Sequence, residues 1–134
     1  MRKWFIALAL IIATALSASA EYQWYKATSY AYKYTNDYGR WTEWTDWMSC
    51  NISISFDMDD DVITIYSNKT QIYVITDTKG SGTDPSGGQY VSFRVIDQDY
   101  DYGTVRLRVE TNGNSQIYVD FANVMWVYNV RRTR

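Results

Sequence analysis

The chain has 134 residues, with six Trp, thirteen Tyr, one Pro, one Cys and no His. Its net charge of −2 at pH 7 argues against nucleic acid or an anionic membrane surface as a partner. The lack of His removes the commonest general base and zinc ligand, and a single Cys excludes an intramolecular disulfide framework. These totals predict a binding protein rather than an enzyme, with no cofactor.

The first twenty residues have the pattern of a secretory signal peptide. Arg2 and Lys3 are basic, residues 4–16 are apolar, and the tripeptide 18–20 (Ala-Ser-Ala) is typical of a cleavage site. The apolar run is too short for a membrane-spanning helix. We therefore predict a signal peptide over 1–20 and one β-barrel domain over 21–134, exported to the periplasm or secreted.

The first predicted strand covers residues 22–35, where aromatic side chains occupy mostly even positions. It is either one long strand or two strands joined by a bend near Ala27. Residues 36–40 predict a hairpin loop in which Gly39 adopts positive φ. Residues 41–47 carry a Trp at every third position, a period that fits neither a flat strand nor a helix, so we predict a strand with a bulge.

Residues 51–76 alternate polar and apolar side chains and predict three antiparallel strands in a meander. Ile52, Ile54 and Phe56 should share the buried face, and Cys50 is interpreted as a small buried residue rather than a reactive thiol. Residues 77–88 are rich in Gly, Ser and Thr, which predicts one long exposed loop.

The remaining alternation predicts strands over 89–96, 104–110, 116–121 and 123–130, with residues 122–123 forming either a turn or a bulge. The fold class is therefore all-β, a single antiparallel up-and-down barrel of about eight strands, with a sandwich as the alternative. The strands are too short and their outward faces too polar to cross a bilayer, so no membrane span is expected. The predicted inward side chains are Val91, Phe93, Val95, Val105, Leu107, Val109, Ile117, Val119, Phe121, Val124, Trp126 and Tyr128.

Two acidic turns, at residues 57–61 and 97–101, place Asp at alternate positions. Such carboxylates can bind Ca²⁺, but both turns lack the Gly and Glu of a helix-loop-helix calcium site. Asp that accepts hydrogen bonds from the turn backbone is the favoured interpretation, so no metal site is predicted. Any two of the fifteen acidic residues would fit a glycosidase pair, which identifies no catalytic residue.

The spacing Trp41-x-x-Trp44-x-x-Trp47 resembles the tryptophan ladder of thrombospondin type 1 repeats, but those repeats need several disulfides, and this chain has one Cys. One interpretation is structural, with one or two of these Trp plugging the barrel. The other is functional, with the Trp forming an aromatic platform for a sugar or lipid.

Gly39-Arg40-Trp41 resembles the Gly-x-Trp motif of lipocalins. The order of signal peptide, Tyr-rich strand, this motif, meander and closing aromatic strands is similar to uncharacterised small secreted bacterial proteins of calycin (lipocalin-like) type. The resemblance implies that Trp41 closes one end of a barrel beneath an Arg from a late strand. Candidates for that Arg are Arg106, Arg108 and Arg131.

Two functions remain open. The first is a ligand-binding barrel that takes a small apolar or aromatic molecule at its mouth, which an interior cavity of about 300 Å³ or more would favour. The second is an interaction module with a solid core, whose exposed aromatic face binds a glycan or a protein partner. The sequence leaves the oligomeric state open. The candidate ligand-binding residues are Trp24, Trp41, Trp44, Trp126, Tyr30 and Tyr32.

Overall fold

Eight antiparallel strands follow one another around a closed barrel in the computed structural model, which describes residues 22–134. The predicted signal peptide lies outside these residues. Each strand pairs with the next, and the first pairs with the last, which confirms the all-β up-and-down barrel and excludes the sandwich. The strands are β1 (Tyr22–Tyr34), β2 (Met48–Asp57), β3 (Val62–Tyr66), β4 (Gln71–Thr83), β5 (Gln89–Ile96), β6 (Tyr102–Val109), β7 (Ser115–Asp120) and β8 (Val124–Arg132).

Alternate residues of each strand fill the middle of the barrel, as the period-two pattern predicts. Phe56 and Phe93 meet near the centre with ring centroids 6.4 Å apart, and both are fully buried. Leu107 of β6 pairs with Ile117 of β7, again with no exposed surface. The barrel is therefore solid at its centre, as expected for eight strands whose inward side chains are Ile, Val, Leu and Phe.

A bulge divides β1 into two halves with opposite facing. Ala27 pairs with Val130 and Ser29 with Asn129, which leaves Thr28 as an extra residue between them. Odd-numbered residues face inward before the bulge, and even-numbered residues face inward after it. This confirms one long strand with an irregularity beside Ala27.

Residues 41–47, the tryptophan segment, are not a bulged strand, and this prediction was wrong. Thr42 and Thr45 donate their backbone N–H groups to the carbonyls of Tyr34 and Tyr32, at 2.8 and 2.9 Å. Their hydroxyls accept the N–H groups of the same two tyrosines, at 3.1 and 3.0 Å. Three residues of the segment therefore extend along the same length as two residues of β1. This mismatch prevents a regular ladder of hydrogen bonds, and it accounts for the period of three in the Trp positions.

The long loop predicted over residues 77–88 is also wrong in most of its length. Strand β4 continues to Thr83, and Ser81 pairs with Val91 of β5. Two register shifts, after Ile75 and after Thr78, absorb extra residues, and small side chains tolerate such bulges. Only a five-residue turn remains between β4 and β5.

The other turns agree with the sequence more closely. Gly39 has the predicted positive φ, at 73°. Of the turn and the bulge predicted at residues 122–123, the structure has the turn, which separates β7 from β8 and makes eight strands. Asp57 Oδ1 accepts the backbone N–H of Asp59 at 3.1 Å, and the second acidic turn uses Asp97 in the same way. Within residues 22–134, no helix is long and apolar enough to cross a membrane.

Candidate binding clefts at the mouth and on the outside of the barrel

The mouth is the end of the barrel where β1 ends and β2 begins. A cleft of about 990 Å³ lies there, the mouth cleft, bordered by the turns that follow β3 and β5. Inward side chains beyond the solid centre form its floor and walls, and turn residues form a polar rim. The floor and walls include Tyr30, Cys50, Ile52, Gln71, Tyr73, Trp126 and Tyr128, and the rim includes Ser67, Asn68, Lys69, Thr70, Asp97, Gln98 and Asp99.

The polar groups of the floor belong to two buried tyrosines, Tyr73 and Tyr128, and to Gln71. The Tyr73 hydroxyl donates to Gln71 Oε1 at 2.5 Å, and the Gln71 amide donates to Ser67 Oγ at 3.0 Å. Burial raises the pKa of Tyr128 to about 12, although a hydrogen bond with Gln71 opposes the shift. Burial also raises the pKa of Tyr73 well above its usual value. Both hydroxyls therefore stay protonated at neutral pH and serve as fixed, uncharged donors or acceptors.

Half-buried side chains form the walls of the mouth cleft. Tyr30 and Trp126 pack against the core on one side and line the cleft on the other. The ring of Tyr30 lies 6.3 Å from that of Tyr128. Cys50 is half-buried, its Sγ lies 3.6 Å from the Ala27 carbonyl oxygen, and burial raises the pKa of its thiol. The site therefore offers aromatic surface and a neutral thiol rather than a nucleophile.

A second cleft, the outer groove, has a volume of about 820 Å³ and lies on the outside of the barrel. Its floor includes Ala31 of β1 and Val127 of β8, which pair with each other and are almost fully buried. Trp44 and Trp47 of the tryptophan segment line the groove, with side chains of β6, β7 and β8. Trp47 is 53% exposed and Trp44 is 40% exposed, so both present ring surface to solvent.

The polar wall of the outer groove is held by the Arg108 guanidinium. Nη1 donates to Gln116 Oε1 at 2.9 Å and to Glu110 Oε2 at 3.0 Å. Nε donates to Asp84 Oδ2 at 2.5 Å, and Nη2 donates to Ser86 Oγ at 2.8 Å. The hydrogen bond from Arg108 is the main reason why the pKa of Asp84 lies well below its usual range. Because every nitrogen of the guanidinium is engaged, the side chains around it are fixed in orientation.

A lysine stabilises the other side of the tryptophan segment. Lys33 Nζ lies 4.9 Å from the ring centroid of Trp44 and 5.5 Å from that of Trp41, within cation–π range. The cation expected over Trp41 from the lipocalin resemblance was a late-strand Arg. Here Arg106 lies over Tyr118 at 4.2 Å instead, so a β1 lysine occupies the position beside Trp41.

The six candidate ligand-binding residues do not form one site. Tyr30 and Trp126 line the mouth cleft, and Tyr32 pairs with Trp126 but does not line the cleft. Trp44 lines the outer groove, and Trp41 contacts Lys33.

Trp24 lines neither the mouth cleft nor the outer groove, although its stacking partner lines the mouth cleft. It is stacked on Tyr66 with centroids 5.8 Å apart, and its backbone pairs with Arg134. Because Trp24 precedes the β1 bulge, where even-numbered residues face outward, its side chain lies on the outer face of the barrel and not among the inward side chains of the mouth.

Four residues of these clefts were not among the six candidate ligand-binding residues. Tyr73 and Gln71 continue the alternation of the meander, so their inward facing follows from Ile75, but their distance from the barrel centre does not. Trp47 had the same spacing signal as Trp44. Arg108 alternates outward in the pattern of β6, and only the pairing of β6 with β7 brings it beside Gln116.

Comparison with protein-family models, curated proteins and solved structures found no match. The resemblance to calycins therefore depends on the motifs of the sequence and stays a prediction. The function has to be argued from the two clefts.

Proposed function

We propose that this chain is an exported, non-enzymatic binding protein that holds a small molecule with an apolar or aromatic face in the mouth cleft. The observation that carries the proposal is the half-buried pair Tyr30 and Trp126, which line a concave cleft of about 990 Å³ above buried, protonated tyrosines. Binding sites of this kind combine apolar walls with a few fixed polar groups.

The depth of the site limits the ligand. Because Phe56, Phe93 and Leu107 fill the centre of the barrel, a long chain cannot thread through it, and the ligand must be short enough to lie in the mouth. If such a ligand buries about 200 Å² of apolar surface, the gain is ~5 kcal/mol at ~25 cal/mol per Å². Stacking on an aromatic wall adds about 1 kcal/mol. These two terms give ~6 kcal/mol, a dissociation constant of about 40 μM before the cost of association, and that cost weakens the expected affinity to the millimolar range.

The polar groups at the cleft favour an uncharged ligand with one hydrogen-bonding end. The floor offers the hydroxyls of Tyr73 and Tyr128 and the amide of Gln71, none of them charged. The charged groups, Lys69 and Asp97 among them, stand at the rim, where water screens them. A neutral aromatic molecule with a hydroxyl or amine therefore fits better than a fatty acid, whose carboxylate has no cation on the floor.

The test uses the mature chain and N-phenyl-1-naphthylamine, a neutral aromatic probe whose fluorescence rises in apolar surroundings. We expect saturable binding that weakens about tenfold in Trp126→Leu and in Tyr30→Leu, because each removes a wall of the cleft. Trp47→Leu is the matched control, since Trp47 lines the outer groove and not the mouth cleft, and it should bind as the parent does. Thermal melts establish that each variant is folded.

Two outcomes would refute the proposal. One is equal probe binding by the parent and by both folded mouth variants. The other is no probe binding at all, together with native mass spectra that contain no co-purified small molecule.

A further inference from the structure

The outer groove lies on the other side of the barrel wall from the mouth cleft, and mouth binding leaves its features unexplained. We propose that it binds a straight, neutral, β-linked glycan chain, with sugar rings stacked on Trp47 and Trp44. This is a second site, with a ligand class and residues of its own.

The line of the tryptophan segment favours a straight ligand. Thr42 and Thr45 bond to Tyr34 and Tyr32 of β1, so each Trp-Thr-x triplet advances by two strand residues, ~6.8 Å. The backbone positions of successive Trp residues therefore advance regularly beside β1. A β-linked chain of hexoses is extended and presents flat apolar ring faces at regular intervals, whereas an α-1,4-linked chain coils.

The exposed rings are suited to stacking. Trp47 makes no ring contact with another aromatic side chain or a cation among residues 22–134, and it is 53% exposed. Trp44 is fixed on one side by Lys33 at 4.9 Å and still lines the groove. A rigid indole beside a polar wall offers apolar contact with little loss of side-chain entropy.

The polar wall matches hydroxyl groups better than charges. Arg108 is fully engaged by Asp84, Glu110, Gln116 and Ser86, so it has little capacity left for an anionic ligand. Arg131 also lines the groove but is exposed, so water screens its charge. Both Glu110 contacts, from Arg108 and from the Gln116 amide at 2.8 Å, are accepted by Oε2. Its Oε1 can accept a sugar hydroxyl.

The groove floor adds a further fixed polar pair. Asn129 Nδ2 donates to Ser29 Oγ at 3.0 Å, beside the apolar patch of Ala31 and Val127. Oriented amide, hydroxyl and carboxylate groups facing aromatic rings are a combination that recognises a neutral sugar by hydrogen bonds and excludes a purely apolar ligand.

The experiment is isothermal titration calorimetry of the mature chain with cellohexaose, chitohexaose and maltohexaose. We expect one or both β-1,4-linked hexasaccharides to bind and the α-linked maltohexaose to bind at least about tenfold more weakly. Trp47→Ala should reduce the affinity about tenfold or more, and Glu110→Gln should reduce it by a smaller factor. Trp24→Ala is the control for loss of a half-buried Trp outside the outer groove and should leave the affinity unchanged.

Three results would overturn the proposal: neither β-linked hexasaccharide binds, maltohexaose binds as tightly as both, or folded Trp47→Ala binds as the parent does. Binding of a protein to this face without glycan binding counts as the first of these. The mouth variant Trp126→Leu should retain glycan binding, and Trp47→Ala should retain binding of the naphthylamine probe. Failure of one site is therefore distinguishable from failure of the other.

Discussion

The glycine at position 103 provides a sharp test of how the mouth end of the barrel is packed. Gly103 is in β6, opposite Val95 of β5. A Cβ built on it would lie 2.7 Å from the Asp120 carbonyl oxygen and 2.7 Å from two ring carbons of Phe121. Ordinary contacts begin at 3.4 Å, so both neighbours would have to move by roughly 0.7 Å. The Phe121 ring is itself packed against Tyr73, with centroids 5.8 Å apart.

The predicted cost of Gly103→Ala follows from what must move. Because one obstacle is a backbone carbonyl of the neighbouring strand, a rotamer change cannot relieve the clash. Overpacking of this kind costs about 1–3 kcal/mol, so we expect a loss of ~2 kcal/mol in the free energy of unfolding. For a barrel of this size the melting temperature should fall by ~10 °C.

The assay is urea denaturation followed by Trp fluorescence, with Gly80→Ala as the matched control. Gly80 is also a strand glycine, but nothing lies within 4 Å of an added Cβ there. Its replacement should be neutral or stabilising by up to about 1 kcal/mol. If Gly103→Ala is as stable as Gly80→Ala, the packing of Phe121 over β6 described above is incorrect.

Two further predictions concern the core and the polar wall. Leu107 is fully buried, so Leu107→Ala should lower the free energy of unfolding by about 2–5 kcal/mol. Val74 on the outer face is 43% exposed, so Val74→Ala should lower it by less than about 1 kcal/mol. Equal effects of the two substitutions in urea denaturation would contradict a solid centre. The Arg108 hydrogen bond is the main cause of the low pKa of Asp84 in the folded state. The ionised Asp84 carboxylate therefore stabilises the fold fully at a pH above its unfolded-state pKa of about 4, and this stabilisation is lost as the pH falls below that value. Asp84→Asn should therefore be less stable than the parent at pH 7, and the difference should shrink as the pH falls from 4 towards 2; a difference independent of pH would show that the pair does not act through its charge.

The barrel itself was predictable because each strand alternates. Ile54, Phe56, Val105 and Leu107 repeat with period two, and the short turns between strands permit only neighbouring antiparallel pairs. Closure follows because it removes the exposed edges that an open sheet would leave. None of these inferences needs a side-chain contact, so the fold class could be read from the pattern alone.

The extension of β4 to Thr83 could not be read in the same way. Gly, Ser and Thr are common in loops, and the local composition therefore predicted a loop. Here β5 supplies a paired strand for those residues, and two bulges adjust the register. Non-local pairing outweighs a local preference of about 1 kcal/mol or less per residue.

The six candidate ligand-binding residues lie on different surfaces for a related reason, the bulge in β1. The prediction treated the even-numbered aromatic residues of β1 as one face. One extra residue, Thr28, reverses the facing, so Trp24 lies outside while Tyr30 and Tyr32 lie inside. A bend near Ala27 was one of the two interpretations, but Thr is also enriched in regular strands, so the sequence does not show that an extra residue reverses the facing there. The facing of residues after such a bulge becomes predictable only when the partner strand is known.

The solid centre explains why the binding surfaces lie at the mouth and on the outside. Eight strands enclose room for little more than their own inward side chains, and here Ile, Val, Leu and Phe take that room. The large rings that the core cannot hold must lie at the rim or on the outer face, where Trp126, Trp44 and Trp47 are found. After its bulge, β1 serves both surfaces, with Tyr30 facing the mouth cleft and Ala31 facing the outer groove. The two sites therefore share a wall but no side chain, and because hydrogen-bonded strands on both sides hold that wall, ligands at the two sites should bind independently.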